Sequence, residues 1–280
     1  MSIKTKTNLH VGSESINYDI VDKTVQRDSI SNLPVINASS QKGALRYFFE
    51  IKEEIEDVLI DIVFGKDGED ASQGYVKFLD SYLLFLPLRA NNQPFYYATS
   101  KSSLLNYCDF YDYLGYDLSE ARTLIENLKT VDCIYNELGD AYIEDIHCGK
   151  STDNMVNILD LLGLDVDATQ VALLSENNFI DAVKHLPIIA RNKIATNEAK
   201  TNGNLWYEEM VPRESIFYTA MLDYTQYSNR LEKLAKNKIQ TFYDTLNTNL
   251  VQIGANASIG FGLCSYSLVD LTRKETVDAQ

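Results

Sequence analysis

Short apolar runs broken by polar punctuation fill the first hundred residues. "KTNLHVG" reads as a first strand, and a polar, irregular stretch follows from Ser13 to about Asn32. From Ser39 or Ser40 the spacing becomes that of a helix, which runs to about Val58 and turns Leu45, Phe48, Phe49 and Ile55 toward a core. After the loop "FGKDGEDASQG", the segments "YVKFLD", "YLLFLPL" and "FYYAT" predict strands joined by polar or proline-containing turns. Lys101 to about Gly163 reads as mainly helical and packed on the outside of that core. "VALLS", a helix over "ENNFIDAVKHL" and the strand "PIIARNKIA" return to it.

The polar "TNEAKTNGN" lies between the β-like arms "RNKIA" and "LWYEEMV", the pattern of an extended hairpin. "SIFYTAML" predicts a further strand. A helix from about Gln226 to Leu246 lines up Leu231, Leu234, Ile239, Phe242 and Leu246. "VQIGANASIGFGLCSYSLV" reads as the last core strand, interrupted by Gly254, Gly260 and Gly262. Strands and helices alternate irregularly, which favours an α+β fold over a doubly wound sheet.

Composition narrows the class. With 280 residues and 45% hydrophobic content the chain can bury a substantial core. No apolar run approaches the roughly 18–20 residues that cross a bilayer. "MSIKTKTNLHVG" has no secretory apolar core, so a cytoplasmic protein with no membrane partner is expected. Cys108, Cys133, Cys148 and Cys264 are scattered and should be reduced thiols. Adjacent His147 and Cys148 fall short of the roughly four converging ligands zinc needs, and read as packing or surface residues.

A formal charge of −15 argues against nucleic acid at first sight. Its distribution changes that. Residues Asp109 to Asp167 hold fourteen acids against three Lys or Arg, a net of −11, which leaves −4 for the rest. Within Lys23 to Arg46 the balance is +3, from Lys23, Arg27, Lys42 and Arg46 against Asp28. A local patch, not the total, decides what binds there.

That patch includes a helix entrance, "NASSQKGALR". Unpaired amides at a helix N-terminus attract anions. Ser39 or Ser40 can cap it and leave the other hydroxyl for a phosphate, while Gly43 permits close approach and Lys42 and Arg46 share one side. An ordinary capped helix with solvated cations has the same spacing. Just upstream, Asp19 and Asp22 are carboxylates of the kind that deprotonate a ribose 2′-hydroxyl or hold a divalent ion; surface loops also carry aspartates routinely. "IGANASIGFG" lacks P-loop and dinucleotide spacing; it can offer amides to phosphates or form a tight hairpin with a bulge. Trp206 reads first as core and second as a base-stacking platform. With only His10, His147 and His185 present, no Ser-His-Asp set can be nominated. Hydrolase-triad, kinase and redox-cofactor readings find no support.

Five blocks in order resemble the RAMP superfamily, and within it the repeating backbone subunits of type III-B CRISPR effectors, the Cmr complexes. They are "LHVGSE" with "VDKTVQRD", "LPVINASSQKGALR", "FG" with "QGYVKFLDSYLLFLPLRANNQPFYYAT", "NLWYEEMVPRESIF" and "QIGANASIGFG". The resemblance implies a single domain over 1–280. Residues 1–100 and 168–280 would form a core like an RNA-recognition motif, ferredoxin-like; 101–167 would be an acidic, mainly helical insertion, and 191–206 a β-hairpin thumb. It implies a CRISPR guide RNA held by Gln26, Arg27, Ser39, Ser40, Lys42, Gly43, Arg46, Gly254, Asn256 and Gly260. A complementary target RNA would be cut at regular intervals by metal-dependent attack of the ribose 2′-hydroxyl. Asp22, with Asp19 as a backup, would be catalytic and a possible ligand of Mg or Mn. Lys193, Ile194, Lys200 and Asn202 would be thumb residues facing the target. Copies would stack head to tail beside other Cmr subunits. The chain departs from the family pattern at Lys23 and Thr24, where a leucine-proline pair is usual, and at Ala38 and Gln41. Alternatives are a structural subunit that coats guide RNA without cutting, and a small-molecule enzyme on a ferredoxin-like fold.

Overall fold

The structure, a computed structural model, describes residues 1–13, 21–52, 55–66, 68, 71–129, 131–193, 204–223 and 232–274. Asp19, Ile194, Lys200, Asn202 and Leu231 lie outside the described residues.

The chain opens with β1 (Ser2–Thr5), and β2 (Val35–Ile36) leads into α1 (Ala38–Glu50) and α2 (Asp57–Phe64). β3 (Gly65–Lys66), β4 (Ser72–Gln73), β5 (Val76–Phe78), β6 (Ser81–Arg89) and β7 (Phe95–Ser100) follow. Next come α3 (Lys101–Tyr113), α4 (Ser119–Glu126), β8 (Cys133–Ile134), β9 (Ala141–Ile143), β10 (Ile146–Lys150) and α5 (Met155–Leu161). β11 (Val171–Leu174) and α6 (Glu176–Lys184) precede the arms β12 (Ile188–Lys193) and β13 (Asn204–Glu209). The chain closes with β14 (Ile216–Tyr218), β15 (Met221–Asp223), α7 (Glu232–Thr248), β16 (Leu250–Gln252) and β17 (Leu263–Ser267).

Among the described residues the largest sheet has eleven strands, ordered β16-β17-β1-β14-β6-β7-β11-β8-β10-β9 with β2 also on β6. Pairing is antiparallel except for β11 with β7 and β10 with β8. One face packs on α1, α2 and α7 through Ile3, Leu45, Phe49, Phe242 and Tyr266; the other packs on α3, α4 and α5 through Phe85, Tyr107, Ile158 and Leu173. A register shift between Ile216 and Phe217 lets adjacent Leu84 and Phe85 enter the same core, while Leu83 and Leu86 serve the opposite one.

Several expectations need correction. The first strand lies at residues 2–5, because there Ile3 and Thr5 are buried and both edges are paired, with β14 and β17. "KTNLHVG" forms only single bridges, at Leu9 and Gly12. The long helix stops at Glu50 and restarts as α2, which brings Phe49 and Phe64 to 5.0 and 5.8 Å from the Phe242 ring. The acidic segment carries the helices α3, α4 and α5 but also adds strands to the core: β8 pairs with both β11 and β10 and extends the main sheet, burying Cys133, Ile134 and Cys148. "SIFYTAML" divides into β14 and β15, and the last expected strand is the hairpin β16–β17.

Candidate functional site

Residues 22–25 run along the edge of β13 that faces away from β12. Lys23 N–H donates to Tyr207 O at 3.1 Å and Glu209 N–H donates to Lys23 O at 2.8 Å, so Lys23 bridges Glu208 in parallel. The exposed Asp22 extends this ladder by one residue, its Oδ2 accepting the Tyr207 N–H at 2.7 Å. Glu209 clamps the other end: its carboxylate accepts the Val25 N–H at 2.9 Å and pairs with Arg27 at 2.5 Å. Arg27 also donates to Asn32 O and Val183 O. Successive strand residues face opposite ways, so the adjacent acids of "YEEM" land on opposite sides of β13.

Glu208 faces inward and is buried. Its Oε2 accepts from Arg191 Nε at 2.5 Å and from Asn256 Nδ2 at 2.8 Å; its Oε1 lies 3.6 Å from Lys23 Nζ and 3.8 Å from His10 Nε2. Burial opposes ionisation of Glu208, but the Arg191 hydrogen bond and the charges of His10, Arg191 and Lys23 outweigh it and hold the carboxyl below its usual range. Because the Glu209 carbonyl can only accept, the bond at 2.7 Å places a proton on His10 Nδ1. Arg191 lies over Phe261 and Lys23 over Trp206. Glu208 Oε1, Arg191 Nη2 and Trp206 Nε1 are buried on this side without a hydrogen bond to described residues. Each such atom costs on the order of 1–3 kcal/mol, a local conflict of the kind that folds tolerate at functional sites. The glycine-rich turn seals the same face. Gly254 has φ +78°, and a Cβ there would sit 2.4 Å from His10 O. Gly254 and Asn256 therefore each have a structural role as well as partial exposure, while Gly260 stands open.

The helix entrance differs from its expectation. Its cap residue is Asn37, without a side-chain cap, and Ser39 and Ser40 belong to the first turn. Asp80 takes the anion's place, accepting the Ala38 N–H at 2.6 Å. No propensity signal links Asp80 to residue 38; only the sheet brings β6 beside α1. Gln26 ties the Asp22 loop to the helix, with Oε1 accepting from Asn37 N–H at 3.1 Å and Nε2 donating to Ser40 Oγ at 3.3 Å. The count of +3 overstates the available charge, since Lys23 pairs with Glu208, Arg27 with Glu209 and Arg46 with Glu50. Lys42 has no ion pair among the described residues. Gly43 lies exposed in mid-helix, and a Cβ there would meet nothing within 4 Å. Gly43→Ala should therefore stabilise the isolated chain by about 0.5–1 kcal/mol, read from its denaturant midpoint. A lower midpoint would mean that the fold itself needs glycine there.

Asp22, Gln26, Arg27, Ser40, Lys42 and Gly43 thus share one loop–helix junction. Of the hairpin residues, Lys193 pairs in register with Asn204. Glu208, Glu209, Asp80 and Tyr207 were missed; two consecutive acids inside an apolar β-arm were the available signal. Among the described residues no group of three or more His, Cys, Asp or Glu could hold a metal, and His147 only approaches Asp140, at 3.5 Å. Asp22 offers one carboxylate, which suffices for an ion whose remaining ligands are phosphate oxygens and water.

The RAMP superfamily model matches residues 2–265. The curated "CRISPR system Cmr endoribonuclease Cmr4" of Pyrococcus furiosus is 25% identical over 287 residues, covering 97% of this chain and 96% of that protein. The "CRISPR system CMR subunit Cmr4" of Saccharolobus solfataricus is 26% identical over 259 residues, 79% of this chain and 82% of that one. Oligomeric Cmr4 from Pyrococcus furiosus superposes with a TM-score of 0.66 at 21% identity, over 98% of this chain and 96% of that one. A chain of the type III-B Cmr-beta complex bound to cognate target RNA gives 0.73 at 22% identity, over 94% of both.

Proposed function

Because this chain belongs to the RAMP superfamily, we propose that it is the repeating backbone subunit of a type III-B CRISPR ribonucleoprotein, which binds guide RNA and cuts complementary target RNA. The observation that carries the reading is the exposed Asp22 carboxylate, fixed to β13 at 2.7 Å and tied through Gln26 to the α1 corner. Antiparallel strands in the order β17-β1-β14-β6, with α1 and α7 on one face, support an RNA-recognition-motif-like core. The β12–β13 ribbon serves as the thumb, and Lys193 ends its first arm.

Guide backbone runs over Ser39, Lys42 and Gly43 and beside Gln26, Arg27, Ser40 and Arg46, with the turn at Gly254, Asn256 and Gly260 lining its path. Asp80 already holds the Ala38 amide, so the strand lies along the side of α1 rather than on its tip. Gly43→Ala places a methyl in that path and should weaken guide binding even as it stabilises the free chain. The thumb separates a step of the guide–target duplex, at a cost on the order of a few kcal/mol. Asp22 takes the proton of the target 2′-hydroxyl there. The 2′-oxygen forms a bond to the adjacent phosphorus, the bond to the 5′-oxygen breaks, and that oxygen leaves with a proton. Asp22 would hold a Mg²⁺ or Mn²⁺, which when bound would supply charge neutralisation at the phosphate. Guide pairing supplies sequence choice, and copies stacked head to tail beside other Cmr subunits space the cuts.

A complex reconstituted on a defined guide tests this. Labelled target should yield regularly spaced fragments, and chelation with EDTA should stop cutting while target stays bound. Bound but uncut target in the presence of Mg²⁺ and Mn²⁺ would make the subunit a coat without catalytic action.

A further inference from the structure

The hairpin has a second, outward face that the buried cluster does not use. Register pairs Ala190 with Tyr207 and Asn192 with Leu205, so Ile188, Ala190, Leu205 and Tyr207 share this side. All four are exposed: Ile188 by 51%, Leu205 by 55% and Tyr207 by 37%. Lys23 bridges Glu208 and ion-pairs with it on the inner side. Asp22, one residue back, therefore falls on the outer side with Tyr207, whose N–H it accepts. An unpartnered apolar strip thus begins beside the carboxylate that is to deprotonate a ribose.

From this juxtaposition we propose that the strip is a stacking ledge for the target nucleobase at the cut, with Tyr207 as its positioning residue. The inference rests on the proposed function and extends it. The base hangs from C1′ of the ribose, next to the C2′ whose hydroxyl Asp22 reaches, so an Asp22 in place brings that base toward Tyr207, whose N–H Asp22 accepts on the same side. The ledge suits a base rather than a protein. Its two strands are about 5 Å apart, wide enough for one flat ring face, whereas a stable protein contact buries on the order of 1,000 Å² or more. Seating the base on Tyr207 removes it from the helical stack and frees its ribose to turn the 2′-oxygen in line with the phosphate.

The test is a cycle in the reconstituted complex, pairing Tyr207→Ala with a target made abasic at the nucleotide whose 2′-hydroxyl attacks. By the usual worth of base–aromatic stacking, Tyr207→Ala should slow single-turnover cutting about 5- to 150-fold. Guide and target binding should be unchanged, and Tyr207→Phe should restore the rate. The abasic target should be slow with the wild-type complex and little slower with Tyr207→Ala, since the contact is already lost. 2-Aminopurine at that nucleotide should be quenched in the wild type and brighter in the alanine variant. Wild-type cutting by Tyr207→Ala, multiplying losses in the cycle, or shortened assemblies that mark the strip as a contact between copies would overturn the ledge. If Asp22→Asn also cuts at the wild-type rate, the failure lies with the proposed function instead.

Discussion

Asp22→Asn is expected to slow target cutting by about 100- to 10,000-fold, the usual worth of a positioned general base, with guide and target still bound. Asparagine is the informative replacement. Its side-chain oxygen can accept the Tyr207 N–H that Asp22 accepts at 2.7 Å, so the loop keeps its place on β13 while charge and basicity disappear. Asp22→Ala removes that anchor as well and should cut no faster. Among the described residues Asp22 has no further side-chain hydrogen bond or ion pair, and it is exposed, so neither change should alter the stability of the free chain by more than about 0.5 kcal/mol. Single-turnover cleavage beside a target-binding titration separates the two effects. A variant that binds target and cuts at the wild-type rate rejects the assignment.

The largest effect on stability is expected at Glu208. Its removal leaves the half-buried Arg191 beside Phe261 without its charge partner, and Asn256 without its acceptor. Glu208→Ala should destabilise by about 3–5 kcal/mol, the range for a broken buried pair. Glu208→Gln, which keeps the shape and loses the charge, should lose about 1.5–3 kcal/mol. Replacing the pair together, Glu208→Leu with Arg191→Met, should recover most of the loss, because matched apolar residues substitute well for a buried pair. The pH dependence has a definite sign. The folded carboxyl lies below its ordinary value of 4.5, so its stabilisation is present above about pH 4.5 and fades as pH falls through the folded value. Glu208→Gln should lack that part of the acid loss in urea titrations. An equal acid slope in both proteins would show that Glu208 is not the paired group.

Much of the fold was legible, for reasons that can be named. β6, β7, β11, α6 and the arms β12 and β13 carry their periodicity locally and stand where the pattern puts them. The misplacements lie where tertiary contacts overrule pattern. α1 ends at Glu50 because two short helices meet Phe242 better than one long one. β8 and β10 are short strands in an acidic segment, and no local signal announces that β8 pairs with β11 or β10 with β8. Within the site, the loop–helix junction was legible because Asp22, Gln26, Ser40 and Gly43 lie close in sequence. Asp80 at the helix entrance and Glu208 beneath the hairpin were not, since Asp80 acts on a residue 42 positions away and Glu208 gathers Arg191 from the facing arm with the distant His10 and Asn256. Local charge counting also misled: three of the four cations that mark the basic patch pair with acids, two of them brought in by β13.

The central claim is that the junction of the Asp22 loop with α1 carries the guide strand and holds a carboxylate at the target ribose. The most direct measurement is a structure of the assembled complex on a target whose attacking nucleotide carries a 2′-methoxy group, which blocks the cut. Guide backbone should pass over Gly43 and Lys42, with the Asp22 carboxylate in contact with the 2′-methoxy group, at about 3.5–4 Å. A junction turned to open water, with RNA crossing another surface of the subunit, would contradict it.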